Sequence, residues 1–230
     1  MFKSRKIATS GTGFQDRSSF VFDRDNDRLA ITETTYDVHD SGDKFSFSFW
    51  YKRSAYDWDR VIGDINSTTN SWILLGDETT PTSIYLECDT NGKTIRTDGA
   101  EGKLNTWYHI VVTTDGAGSG AFYENGKPLA LTAPGSMNAG LTINHIGKLV
   151  RGWMNDVAIY NTDIGAAGAN ELYNNREPFN HKEGSFSANL INWWRMGDGD
   201  GDSSTTIKDQ AGSLDGTVTD DAHITGDVPW

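Results

Sequence analysis

Hydrophobic residues along this chain recur at every second position in one stretch after another. The clearest is residues 44–53, where Phe45, Phe47, Phe49 and Tyr51 alternate with Ser46, Ser48, Trp50 and Lys52. Successive side chains of a strand point to opposite faces, so strict alternation predicts a strand with one buried face. Residues 107–114 form the longest apolar run and read as a strand buried on both faces. Further strands are expected at 20–22, 29–31, 61–63, 72–75, 84–86, 121–124, 129–131, 141–147, 154–160, 190–196 and 216–218. Asn125 and Gly126, between two of these runs, form a hairpin signal, because a tight two-residue turn needs positive φ at both positions. One segment has helical spacing instead. Ile164, Ala167, Glu171 and Leu172, preceded by the capping pair Thr162 and Asp163, predict a short helix near 163–173. Residues 174–188 read as a polar connection. Many short strands with turn chemistry between them predict an all-β sandwich.

The length, 230 residues, suits one such sandwich. Residues 1–19 are polar and rich in Gly and Ser, so they are expected to form an N-terminal arm, with 20–230 as one domain. The balance of 20 Lys+Arg against 32 Asp+Glu gives a net charge of −12. No surplus of cations exists to neutralise phosphates, which argues against a nucleic-acid partner and against an anionic membrane surface. No apolar run reaches the length of a membrane span, and no apolar stretch follows the basic start as a secretory signal requires, so neither membrane insertion nor signal-directed export is expected. Cys88 is the only cysteine, which excludes an intrachain disulfide, and its strand-like surroundings predict a buried small hydrophobe.

Five ordered blocks resemble one family. Residues 20–29 (Phe20, Val21, Phe22, Asp23, then Asn26, Asp27, Arg28, Leu29) are similar to its opening block, and residues 45–52 to its "F-T-x-S-x-W-V-K" strand. Residues 105–113 around Trp107, Tyr108 and His109, residues 122–128 with Asn125 and Gly126, and residues 152–161 with Asp156 complete the set. The chain thus resembles laminin-G-like, concanavalin A-like lectin/glucanase (pentraxin-type) domains, of the kind seen in marine bacteriophage structural proteins. The resemblance implies a jelly-roll sandwich of two antiparallel sheets. A sixth block, Trp194 to Gly199 with Ile207 to Thr217, precedes the first in many relatives and follows it here, as if the sandwich were completed from its C-terminus.

The resemblance also implies chemistry. The family often holds a structural Ca²⁺ with loop carboxylates, which makes Asp209, Asp215 and Asp156 the metal candidates; the competing reading is that these residues only make turn hydrogen bonds. Asp198, Asp200 and Asp202 mimic the start of an EF-hand, but the twelfth position is Asp209 rather than glutamate and no helix pair flanks it. Tyr56, Trp58, Trp72 and Trp153 lie near expected loops and are the candidates for stacking on sugar rings, against the alternative that they fill a core or an interface. The five histidines have no ligand spacing. No Glu-x-Asp-x-x-Glu pattern or other hydrolase motif occurs, so no catalytic residue and no enzymatic activity is expected. The expected function is a non-catalytic structural or binding module on a virion surface, as capsid decoration or as part of a tail or fibre. Its partners would be other virion proteins, copies of itself or cell-surface glycans. A carbohydrate-binding module of a bacterial surface or secreted protein is the alternative, and a degenerate glycoside hydrolase the third. In the first reading the arm, with Lys3, Arg5, Lys6 and Arg17 against Asp16, docks on an acidic partner.

Overall fold

The computed structural model describes residues 14–23, 26–38, 42–64, 70–89, 94–134, 137 and 139–230. Among these residues the chain forms two antiparallel sheets and one α-helix. Sheet I contains β1 (Ser19–Asp23), β3 (Ser46–Arg53), β8 (Tyr108–Thr114), β9 (Gly120–Glu124), β10 (Lys127–Leu129), β13 (Arg151–Tyr160), β14 (Leu190–Trp194) and β17 (His223–Thr225). Its order is β10-β9-β8-β3-β13-β1-β17, with β14 paired to the second half of β13. Sheet II contains β2 (Arg28–Tyr36), β4 (Asp59–Gly63), β5 (Asn70–Leu75), β6 (Ile84–Asp89), β7 (Thr94–Thr97), β11 (Leu131–Pro134), β12 (Leu141–Ile146), β15 (Thr206–Ile207) and β16 (Gly216–Thr219), in the order β11-β7-β6-β5-β4-β12-β2-β16-β15. This is the two-sheet sandwich that the alternation predicts.

The core forms where the inward sets of both sheets meet. Phe47 and Phe49 of β3 lie opposite Val112 and Ile110 of β8, and face Ile73, Ile84 and Leu86 of sheet II within one buried cluster. The C-terminal segment closes both layers: β17 pairs β1 in sheet I and β16 pairs β2 in sheet II. The displaced sixth block thus supplies β16 as a neighbour to β2, and β17, just beyond that block, is the neighbour of β1. The hairpin signal also holds, since Asn125 (φ 50°) and Gly126 (φ 75°) join β9 to β10. Gly126 has a second reason to be glycine, because a Cβ there would meet Asn170 Cα of the helix at 3.0 Å.

The helix α1 spans Gly165–Tyr173 and docks on β8, β9 and β10. Asp163 accepts the Gly165 N–H at 2.9 Å, although the residue in the capping position is Ile164. This cover changes one expectation. β3 is not half-buried, because Ser46, Ser48 and Trp50 on its outer side are buried as well. A second apolar cluster lies there, with Val111, Tyr160, Ile164, Leu172 and Trp193 joined by Phe14, Phe179 and Phe186. Burial drives the His109 pKa down to about 3, so the ring is neutral and shares a hydrogen bond with Ser48 Oγ at 2.8 Å.

Of the arm expected over residues 1–19, residues 14–19 pack on sheet I. The Phe14 ring lies 5.9 Å from Trp193 and beneath the Arg195 guanidinium at 4.4 Å, and the Trp230 indole N–H donates to the Asp16 carbonyl at 2.6 Å. Lys3, Arg5 and Lys6 lie outside the described residues.

Burial raises the pKa of several carboxyls, Asp59, Glu124 and Asp16 most of all. Asp59 accepts from Tyr51 and from the Arg151 N–H, but burial outweighs these bonds and pushes it up to about 7. Burial does the same for Glu124, to about 7, and for Asp16, which lies beside the Asp198 carboxyl and rises to about 10. An acid whose pKa is higher folded than unfolded gives stability that is full below the unfolded value and is lost as pH rises through the folded one. The carboxylates held low, such as Asp98 and Asp227, change only below pH ~4. His109 and His145, buried and neutral, act in the opposite sense below the unfolded histidine value of about 6.5, so the difference between variants is the clean readout: Asp59→Asn should make the melting temperature fall less, or rise more, between pH 5 and pH 8 than in the wild type, and differential scanning calorimetry across this range checks it.

Candidate functional site

The outer face of sheet II gathers aromatic and charged side chains in a regular order. Arg60 of β4, Leu74 of β5, Tyr85 of β6 and Arg96 of β7 stand directly opposite one another across four strands. Residues opposite on one face are close enough to touch, so this register makes them a continuous row. Next along the strands, Trp72 stands between Gly63 and Glu87. A Cβ at Gly63 would meet the Trp72 ring at 2.5 Å, so the glycine lets the indole lie flat across β4. Trp72, Leu74 and Tyr85 form a small cluster of their own, apart from the main core.

Cations and one more aromatic complete it. The Arg60 guanidinium sits 4.0 Å above Trp72, and Arg96 5.4 Å from Tyr85. Asp98 binds Arg96 through both oxygens, at 2.6 and 2.5 Å, and takes the Ser83 hydroxyl as well. These hydrogen bonds hold the Asp98 carboxyl below the usual carboxylate range. Exposed pairs of this kind contribute little stability, roughly 0–1 kcal/mol, so their consequence is a fixed guanidinium rather than a firmer fold. Trp58, 43 % exposed, packs its ring 5.4 Å from Tyr85. Tyr56, two residues earlier and 36 % exposed, lies 4.9 Å from Arg53. Trp72 rests on His145 at 5.7 Å, and burial holds that ring neutral with a pKa of about 3. Asn144 bonds the Asp64 carboxylate beside it.

Of the four aromatics expected to meet a sugar, Trp58 and Trp72 converge on this face through Tyr85 and Leu74, and Tyr56 precedes Trp58 on the same loop. Trp72 is itself mostly buried. Trp153 lies on the other sheet, in β13, with the Lys52 ammonium 4.3 Å above its ring. Tyr85, Arg60 and Arg96 were missed in the sequence. Their signal was available as the polar half of each strand's alternation, but it becomes a row only once the register is known.

The acidic candidates serve other donors. Asp209 Oδ1 accepts the N–H groups of Trp193, Ala211 and Gly212, and Oδ2 accepts Asn192 Nδ2 and the Leu214 N–H, at 2.6 to 3.1 Å. Asp215 takes the Asp209 N–H at 3.1 Å and the Lys208 ammonium. Asp156, at φ 51°, is buried and accepts from the Trp193 indole and from His181 at 2.8 Å. Burial alone would raise its pKa, but those two partners hold it low. A Ca²⁺ site needs six to eight free oxygens converging on one point. Here the carboxylate oxygens already accept from N–H donors, and among the described residues no group of three His, Cys, Asp or Glu side chains is placed to share an ion. This donor set does not fit calcium: Asp209 and Asp215 bond the N–H groups of their own loop, and Asp156 bonds two side chains.

Residues 23–167 match the family model described as the concanavalin A-like lectin/glucanases superfamily. A comparison with curated proteins finds no match. Among solved structures, a candidate carbohydrate-binding protein from Bacteroides ovatus is 16 % identical with a TM-score of 0.64, covering 93 % of this chain and 60 % of its own. Domain 4 of AbnA, a GH43 extracellular arabinanase from Geobacillus stearothermophilus solved with arabinotriose, is 14 % identical with a TM-score of 0.47, covering 68 % of this chain and 87 % of that domain. The binding domain of botulinum neurotoxin DC, solved with SialylT, is 19 % identical with a TM-score of 0.43, covering 58 % and 36 %. The chain thus spans under two thirds of the length of the Bacteroides protein.

Proposed function

The chain belongs to the concanavalin A-like lectin/glucanases superfamily, and we propose that it is a non-catalytic glycan-binding module that contacts its ligand with the outer face of sheet II. The observation that carries this reading is Trp58, a large aromatic left 43 % exposed and held against Tyr85 beside fixed arginines. A sugar presents a C–H face and a rim of hydroxyls. The C–H face suits the negative face of an aromatic ring, and the hydroxyls need directed donors and acceptors. Trp58 and Tyr56 offer the first; Arg60, Arg96, Asp98 and Glu87 offer the second. Trp58 lies outside the buried clusters, so its loss should disturb the fold little.

A second reading, display in many copies on a virion surface, draws on one further observation. Phe14, the first described residue, packs on the sheet I side, opposite the aromatic face. Basic residues precede that point, so an arm anchored on an acidic surface would leave the aromatic face outward. The two readings are compatible, with copies of this chain or other virion proteins as partners and cell-surface glycans as ligand. Deleting residues 2–13 would separate them, since it should abolish attachment to a particle and leave glycan binding intact.

On a glycan array, Trp58→Ala should lose binding by roughly tenfold or more, an amount set by about 1.4 kcal/mol, with an unchanged melting temperature. Reducing-sugar assays on the bound glycans should show no release. Wild-type binding by Trp58→Ala would remove this face from the account, and released sugar would make the protein a hydrolase.

A further inference from the structure

A hollow also lies on the opposite side. A groove of about 830 Å³ runs between the entering chain at residues 14–17, the turn at 175–178 and the C-terminal residues 228–230. Its volume falls in the range of small-molecule sites, roughly 300–1,000 Å³. The groups that line it are of three kinds. Phe14 and Trp230 are half-buried aromatic rings. Arg17 and Arg176 are exposed cations, and Asn175 and Glu177 are exposed hydrogen-bonding groups.

The turn is built at a cost. Asn174, Asn175 and Arg176 all have positive φ, at 45°, 54° and 69°, a conformation that costs a side-chain-bearing residue about 1–2 kcal/mol. Arg176 holds it in place by donating Nε and a terminal N–H to the Pro229 carbonyl at 3.2 and 2.9 Å. Trp230 is fixed from two sides, by its N–H bond to the Asp16 carbonyl and by an edge contact with Trp50 at 5.9 Å. The walls are therefore set before any ligand arrives.

Two guanidinium groups, those of Arg17 and Arg176, line this groove together with the carboxylate of Glu177. Asp16, the other acid at the groove, is buried against the Asp198 carboxyl, and its raised pKa keeps it uncharged at neutral pH. A planar guanidinium fork matches a carboxylate in two parallel bonds.

We propose that this groove is a second binding site, separate from the face of sheet II, and that it takes a carboxylated sugar. Arg17 and Arg176 meet the carboxylate, Trp230 and Phe14 the C–H face, and Asn175 and Glu177 the ring hydroxyls. A neutral sugar would leave the arginines without their partner. An acidic peptide would leave Glu177 facing a like charge.

The test is calorimetric titration of the full chain with glucuronic acid and, separately, with glucose. Glucuronic acid should bind at least tenfold more tightly than glucose. Arg17→Gln should abolish the difference, and since among the described residues the Arg17 guanidinium bonds only the neighbouring Gln15 side chain, the variant should melt like the wild type. Arg176→Gln is the weaker probe, because it also frees the C-terminus. Trp58→Ala should leave glucuronic acid binding unchanged, which keeps this site distinguishable from the sheet II face. Equal affinity for the two sugars, no glucuronic acid binding, or binding that disappears with Trp58→Ala and survives Arg17→Gln would each overturn the proposal.

Discussion

A two-layer sandwich has four sheet faces, and only two of them can be buried against each other. The other two must be covered by something else or left as surface. This chain solves the problem differently on its two sides. The outer face of sheet I carries Ser48, Trp50, His109, Asn155 and Trp193, and it is roofed by α1, the connection after it and both ends of the domain. The outer face of sheet II carries Trp72, Leu74, Tyr85 and their arginines, and Trp58 on it stays exposed. That asymmetry leaves one side of the molecule to hold the chain together and the other as open aromatic surface.

The roof depends on the C-terminal residues. Asp227 accepts Lys52 and the Trp107 indole, its carbonyl accepts the Ser19 hydroxyl, Pro229 takes Arg176, and Trp230 lies on Trp50. Asp198 grips the N–H groups of Arg17 and Ser18, so the entering chain is tied to the same corner. Each bond is modest, about 1 kcal/mol net, but together they fasten both ends of the domain beside β17, the strand that extends sheet I past β1.

Much of this was legible in the sequence, for physical reasons that differ by element. The 44–53 alternation is a local property of one strand, and it placed Phe47 and Phe49 in the core correctly. Asn125-Gly126 announced its turn because few other pairs tolerate two positive φ values. The covering of Trp50 was not legible, because it depends on Trp230, 180 positions away along the chain. The row from Arg60 to Arg96 was hidden for the same reason, since register across four strands is a non-local fact. The aspartates show the opposite error. Asp209 sits in a loop whose composition suits a cation, yet the backbone turn around it consumes every oxygen.

The central claim is that the open face of sheet II receives a neutral glycan. The eight tryptophans divide between the two sides and the core, so their indole N–H signals report on it directly. In a ¹⁵N-labelled sample titrated with a neutral oligosaccharide that the protein binds, the Trp58 and Trp72 signals should move while those of Trp107, Trp153 and Trp193 stay fixed. Movement confined to Trp107, Trp153 or Trp193, with Trp58 and Trp72 unchanged, would contradict the account.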